Sequence, residues 1–201
     1  MNKTQILYIG GGTTFKSKSD YISALKKKSP QLEKYNSWSE EYLDKNLGPK
    51  YKIIRPKMPC KENAKYEEWK IVFENYLKAM NTNVILIGCS LGGIFLAKYL
   101  SENKIKKNII ATFLIAPPYD NTCPGEDLVG GFILRKDLSP LEKQGGKVTL
   151  CFSKDDPVVP ISHAEKYRAK LNQAKIITYK SKKGHFFVST FPEIVRMIKE
   201  L

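Results

Sequence analysis

The segment Gly88-Cys89-Ser90-Leu91-Gly92 sets a serine between two glycines at Gly-x-Ser-x-Gly spacing. Five residues of this kind are common by themselves, and their flanks give them meaning. Val84-Ile85-Leu86-Ile87 precedes them as a buried-strand run, and Gly93 to Leu100 follows with a helical pattern. Strand, sharp turn and helix together make a nucleophile elbow. The serine of such a turn sits in strained backbone, and side chains two residues before and after it would collide with the adjoining strand and helix; Gly88 and Gly92 avoid this. The turn presents the Ser90 hydroxyl at the carboxyl edge of a sheet, near a helix amino terminus whose partial positive charge favours a developing oxyanion.

A serine hydroxyl is a weak nucleophile until a base takes its proton. The chain has two histidines. His163, in Pro160-Ile161-Ser162-His163, opens a helix pattern and is expected there as an exposed polar residue. His185, in Lys183-Gly184-His185-Phe186, follows the last strand pattern and precedes the last helix, so it falls at the carboxyl edge and is the candidate base. The histidine needs a carboxylate to fix its tautomer and stabilise the imidazolium. The strand pattern at 148–152 runs into Ser153-Lys154-Asp155-Asp156-Pro157-Val158-Val159-Pro160, which offers Asp155 and Asp156. Serine, aspartate, histidine is the chain order of α/β-hydrolases.

Acyl transfer also needs backbone donors for the tetrahedral oxyanion. Leu91 N–H, next after the nucleophile, is one, and Gly12 in the Gly10-Gly11-Gly12-Thr13 loop is the candidate for the other. That glycine run lacks the Gly-Lys-Ser/Thr ending of a phosphate loop and the Gly-x-Gly-x-x-Gly spacing of a dinucleotide site. By position after strand ends, the pocket is expected to draw on Phe15, Leu91, Tyr119, Val158 and Phe186 and on the segment 119–146. The chemistry calls for no cofactor and no metal.

Positioning these groups requires a particular scaffold. Short apolar runs at 4–9, 51–55, 83–88, 109–116, 147–152 and 174–179 read as six strands. Helical patterns lie between them at 19–28, 38–47, 64–80, 91–101 and 161–171, with a last one from about 191. In 64–80 the residues Trp69, Val72, Phe73, Tyr76, Leu77 and Met80 recur at three- and four-residue intervals, which gathers them on one face. Strands apolar almost throughout, alternating with helices, predict an α/β fold with a mostly parallel sheet covered on both faces. The segment 119–146 dissolves into glycine, proline and charge and reads as an irregular excursion near the site.

A chain of 201 residues, 42% hydrophobic and 27% charged, fits a single domain spanning 1–201. No apolar run approaches the roughly 20 residues of a membrane span, and the start, Met-Asn-Lys-Thr, lacks the pattern of a secretion signal. The expectation is a cytoplasmic protein without a membrane partner, monomeric or a weak homodimer. Cysteines 60, 89, 123 and 151 lie far apart, without Cys-x-x-Cys pairing, and read as free thiols. A net charge of +14 invites a nucleic-acid partner, but 30 lysines stand against four arginines and are interleaved with carboxylates. Arginine is the side chain that grips phosphate and reads bases in two-pronged fashion, so a lysine-rich solvated surface is expected and no specific nucleic-acid site.

The chain resembles the small, nearly lidless α/β-hydrolases related to retinoblastoma-binding protein nine and its bacterial relatives. The likeness runs from Ile6-Leu7-Tyr8-Ile9-Gly10-Gly11-Gly12, through Gly88-Cys89-Ser90-Leu91-Gly92-Gly93, to Asp155-Asp156-Pro157-Val158-Val159-Pro160 and Gly184-His185-Phe186. The resemblance implies a serine hydrolase with sheet order 2-1-3-4-5-6 and a minimal lid. It also implies that Asp156, rather than Asp155, is the acid, since the carboxylate before Pro-x-x-Pro fills that role. Many relatives carry His-Gly after the first strand and Gly-His-Ser at the elbow; Gly10-Gly11 and Gly88-Cys89-Ser90 stand here instead, altering the pocket wall without removing a triad member. Hydrolysis of a small-molecule carboxylic ester is the function expected. A non-catalytic protein-binding module that keeps the hydrolase fold is the alternative.

Overall fold

The computed structural model of the chain describes residues 3–33 and 35–201; Met1 and Asn2, with which the amino-terminal reading begins, and Lys34 lie outside the described residues. Six strands, β1 (Thr4–Ile9), β2 (Tyr51–Ile54), β3 (Asn83–Cys89), β4 (Asn108–Ile115), β5 (Lys147–Ser153) and β6 (Lys175–Tyr179), form one sheet in the order β2-β1-β3-β4-β5-β6. Every neighbouring pair is parallel. All six carboxyl ends therefore open on the same edge, where the elbow and the two loops after β5 and β6 meet.

Strand β3 shows why the runs are apolar without alternation. Val84 and Leu86 enter one core layer, and Ile85 and Ile87 enter the other. The first layer holds α3 (Tyr66–Ala79), α4 (Leu91–Glu102), α5 (Ser139–Gln144) and α6 (Ser162–Arg168). The second holds α2 (Leu43–Leu47) and α7 (Pro192–Lys199), with Trp38 between Tyr8 and Phe191. Each large side chain buried in these layers contributes about 1.5–3 kcal/mol. Helix α1 (Lys18–Lys27) is different: it is capped by Ser17, which accepts the Asp20 N–H, and it buries no residue. Among the described residues no helix is long and apolar enough to cross a membrane.

Three expectations need correction. On α3 the buried stripe is Tyr66, Trp69, Phe73 and Leu77, continued by Met80, while Tyr76 is exposed; steps of three, four, four and three residues set this stripe and leave Tyr76 beside it. The helix expected over 38–47 is broken. Trp38–Tyr42 is a distorted turn kinked at Glu40, and only Leu43–Leu47 is α-helical. The Arg55 guanidinium takes the Ser39 carbonyl at 2.9 and 2.7 Å, which diverts it from the helical ladder. The 119–146 excursion is also more ordered than its composition implies. It contains α5, and Leu128, Phe132, Leu138 and Leu141 are buried. Phe132 meets Trp69 edge-on at 5.4 Å. These anchors reach the core one at a time, so no period betrays them.

Backbone contact at the elbow is close. A Cβ on Gly92 would fall 2.2 Å from the Ile9 carbonyl oxygen, and one on Gly88 would fall 2.4 Å from the Gly92 oxygen. At Gly10 a Cβ would meet only a Tyr8 ring carbon, at 3.7 Å. Gly92→Ala is therefore expected to cost about 2–3 kcal/mol, because backbone must move, whereas Gly10→Ala stays within about 0.5 kcal/mol. Thermal unfolding of the two variants side by side checks the contrast.

Candidate active site

Ser90 joins β3 to α4 with φ +52° and ψ −121°, a conformation rare for a side chain larger than hydrogen. Its N–H donates to the Ile115 carbonyl at 2.8 Å, tying the elbow to β4. Apolar residues pack around almost the whole of α4, which is why it can sit beneath the turn and aim its amino terminus at the hydroxyl. Cys89 beside it does not compete as a nucleophile. Burial pushes its thiol up to about 12 despite a hydrogen bond with Tyr8, and burial likewise raises Cys123 to about 11.

His185 and Asp156 are paired: His185 Nδ1 lies 2.7 Å from Asp156 Oδ2, with the histidine side chain 13% and the aspartate 1% exposed. Asp156 Oδ1 accepts the N–H groups of Val158 at 2.8 Å and Val159 at 3.0 Å, so both carboxylate oxygens are committed and the group cannot rotate. A proton on Nδ1 leaves Nε2, across the ring, free to accept another.

Asp155 does something else. It accepts the Ser153 hydroxyl, the Ser181 hydroxyl and the N–H groups of Gly184 at 3.1 Å and Lys182 at 3.3 Å. These bonds hold its carboxyl well below the usual carboxylate range, the Ser153 and Ser181 hydroxyls contributing most. A depressed carboxyl lends stability above its unfolded pKa and loses it only as pH falls through the folded one, so this knot loosens only in strongly acidic solution. It closes the loop just before His185, where Lys183, Gly184 and Phe186 all have positive φ. One carboxylate thus shapes the loop and its neighbour meets the ring.

Ser90 and His185 line one cavity of about 390 Å³, in the size range of small-molecule sites. Among the described residues no direct hydrogen bond joins them; such bonds are commonly long in unliganded enzymes and tighten with substrate. Gly11, Gly12 and Leu91 line the same cavity. A Cβ on Gly11 would be 3.3 Å from Ser90 Cβ, so glycine lets this loop pass directly over the serine. Leu91 N–H is the first of α4 and has no partner within the helix, and among the described residues no backbone acceptor faces Gly12 N–H.

The expected pocket residues divide. Leu91 and Val158 line the cavity. Phe186 does not: it is buried in the second layer against Tyr179 and Phe191, and Phe187 faces the cavity in its place. Consecutive residues point oppositely, and sequence alone does not tell which of the two phenylalanines turns inward. Phe15 lines an adjoining chamber of about 320 Å³ beneath α1, with Tyr21 and Leu25. Tyr119 packs edge-on against Tyr167 at 5.1 Å, away from the serine. His163, expected at the surface, is fully buried. The segment 119–146 lines the cavity through Cys123, Glu126, Asp127 and Leu128, and Pro118, just before it, is not singled out by the sequence. Glu126 sits at the rim, its carboxyl raised by desolvation and partly restored by His185. Among the described residues no cluster of three or more His, Cys, Asp or Glu is arranged to hold a metal ion.

The chain is similar in fold to the product of the ydeN gene of B. subtilis, with a TM-score of 0.77, 18% identity and 98% of each chain covered. It is similar to a putative YdeN-like hydrolase from Pectobacterium atrosepticum, with a TM-score of 0.65, 14% identity and coverage of 98% of this chain and 90% of that one. An esterase of Pyrococcus furiosus aligns with a TM-score of 0.60 at 15% identity, over 99% of this chain and 82% of its own. No curated protein sequence matches. A family model described as serine hydrolase matches residues 33–194, most of the sheet together with the elbow, the acid loop and the histidine. The chain belongs to the serine hydrolase family.

Proposed function

We propose that this hydrolase cleaves small carboxylic esters through Ser90, His185 and Asp156. The observation that carries the reading is the 2.7 Å pair of His185 and Asp156 opening onto the cavity that holds the strained serine. In the proposed cycle His185 Nε2 takes the Ser90 proton as Oγ attacks the ester carbonyl, and Asp156 stabilises the imidazolium. The N–H groups of Gly12 and Leu91 hold the oxyanion. Collapse of the tetrahedral species breaks the bond to the alcohol, which leaves with the proton from His185. Water, deprotonated by His185, attacks the acyl-enzyme, and the acid departs as Ser90 regains its proton.

The Asp156 carboxylate, locked by two backbone N–H groups, fixes the ring in one tautomer without moving during the cycle. Cavity size favours short and medium acyl groups over long ones.

Ser90→Ala is expected to abolish both turnover of a short p-nitrophenyl ester and labelling by a fluorophosphonate probe; unchanged turnover would overturn the assignment, and a domain that only binds a partner would leave the probe unreacted in the wild type. Asp156→Asn should lower kcat by about 10³–10⁴-fold, since the amide oxygen stays on the Val158 and Val159 N–H groups, turns the NH2 toward Nδ1 and so favours the wrong tautomer. Asp155→Asn should cost far less, with a loss confined to loop order, and kinetics of the two variants under identical conditions separates these roles. A p-nitrophenyl ester series should peak at short or medium chains, an optimum at long chains being the contrary result.

A further inference from the structure

The one histidine the proposed cycle leaves idle is among the most buried polar groups of the chain. His163, on α6, is 0% exposed. Its Nδ1 accepts the N–H of Tyr119 at 2.9 Å. A neutral ring that accepts at Nδ1 carries its proton on Nε2, and that nitrogen faces Thr122 Oγ1 at 3.4 Å and Cys123 Sγ at 3.5 Å. One turn further along α6, the fully buried Tyr167 donates its hydroxyl to the Pro118 carbonyl at 3.0 Å. The Pro118 carbonyl and the Tyr119 N–H belong to one peptide unit. Two buried side chains of one helix therefore grip both polar ends of a single peptide bond.

The gripped unit lies on the wall of the nucleophile's cavity. Pro118 and Cys123 both line it, and so do Val158 and Val159 of the acid loop. Those valines donate the N–H groups that lock Asp156, and the same loop runs straight into α6, where His163 N–H bonds the Pro160 carbonyl at 3.0 Å. The segment leaves β4 through Ala116 at φ +44°, whose N–H still bonds the Cys151 carbonyl of β5 at 2.8 Å, and among the described residues no further backbone bond to the sheet follows at Pro118 or Tyr119. Beyond that bond, the hydrogen bonds that hold the Pro118–Tyr119 peptide against the acid loop come from α6. The ring stays neutral in this setting, because burial above all, aided by Lys166, pushes its pKa down against the opposing pull of Asp120 and Asp156. Outside the ring, Lys166 Nζ closes the segment by bonding both Asp120 oxygens at 2.8 Å.

We propose that His163 is a positioning residue which, with Tyr167, clamps the Pro118–Tyr119 peptide and thereby sets the cleft wall that discriminates between acyl groups. The inference rests on the hydrolase reading of Ser90, since discrimination is read as turnover. His163 itself touches neither the reacting atoms nor the cavity.

The test compares His163→Asn with His163→Leu. Asparagine Oδ1 can take the place of Nδ1 as acceptor for the Tyr119 N–H, and leucine cannot. Each protein is titrated with a fluorophosphonate probe so that rates are expressed per reactive Ser90, then assayed with p-nitrophenyl acetate and p-nitrophenyl butyrate. His163→Leu is expected to raise KM for the butyrate and to change the butyrate-to-acetate ratio of kcat/KM by about tenfold, with little change in kcat per labelled site, and His163→Asn to recover most of it. Tyr167→Phe, which removes only the other half of the grip, should shift the ratio in the same direction and serves if the leucine variant does not fold. Amide hydrogen exchange at Tyr119, protected in the wild type and His163→Asn and fast in His163→Leu, reads the clamp without any turnover. A wild type that is neither labelled nor active would remove the hydrolase reading while exchange still reports on the clamp. Loss of Tyr119 protection with an unaltered substrate ratio, or an asparagine variant no better than leucine, would overturn the proposal.

Discussion

Backbone meets backbone where β1, β3 and α4 converge, and the site is organised around that contact. Gly92 in the first turn of α4 lies against the carbonyls of Ile9 and Gly10, and Gly88 at the end of β3 lies against Gly92 itself. Because no side chain intervenes, the helix starts immediately at the strand end, and the residue between must turn with positive φ. That residue is Ser90. The same approach brings the loop after β1 directly over the serine, where Gly11 and Gly12 share its cavity. Local strain, of the order of 1–3 kcal/mol, is maintained by a core that leaves these three elements no other arrangement.

A second constraint acts at the far side of the cavity. Two adjacent aspartates after β5 diverge: Asp155 gathers hydroxyls and N–H groups from the loop after β6, and Asp156 turns inward to the ring of His185. Neighbouring residues in an extended turn point to opposite sides, so a single short segment both shapes the histidine loop and meets the histidine. The acid loop then becomes α6, whose buried His163 and Tyr167 reach back to the segment leaving β4. Three loops from distant parts of the chain are joined by directed hydrogen bonds rather than by apolar contact alone. Geometry of this kind is held more tightly than apolar packing alone would hold it.

Much of this was legible in the order of residues. Strand-helix alternation with fully apolar strands fixes a parallel sheet, and a parallel sheet brings every strand's carboxyl end to one edge, so Ser90, the Asp155–Asp156 pair and His185 could be expected near one another from chain order, while the choice of Asp156 within the pair comes from the family resemblance. The glycines at 88 and 92 announced their contact through their spacing. The serine hydrolase family membership rests on a match over residues 33–194, most of the chain. What escaped was whatever depends on which way a single side chain turns. Phe186 and Phe187 are equivalent in sequence and opposite in space. His163 at a helix start has no local mark of burial, because the Tyr119 N–H that it accepts lies 44 residues away. The anchors Leu128, Phe132 and Leu138 share no period, so a segment stitched to the core at isolated points read as irregular.

Helix α1 gives the architecture an asymmetry. It roofs a chamber next to the nucleophile's cavity while contributing no buried side chain to either layer of the core. Folding therefore places almost no demand on its sequence beyond its cap, and exchanging its residues would reshape the chamber without taxing stability. Diversification of this hydrolase can proceed through α1, leaving the hydrogen-bonded floor untouched: the wall of the side chamber and the part that holds the serine are free to drift at separate rates.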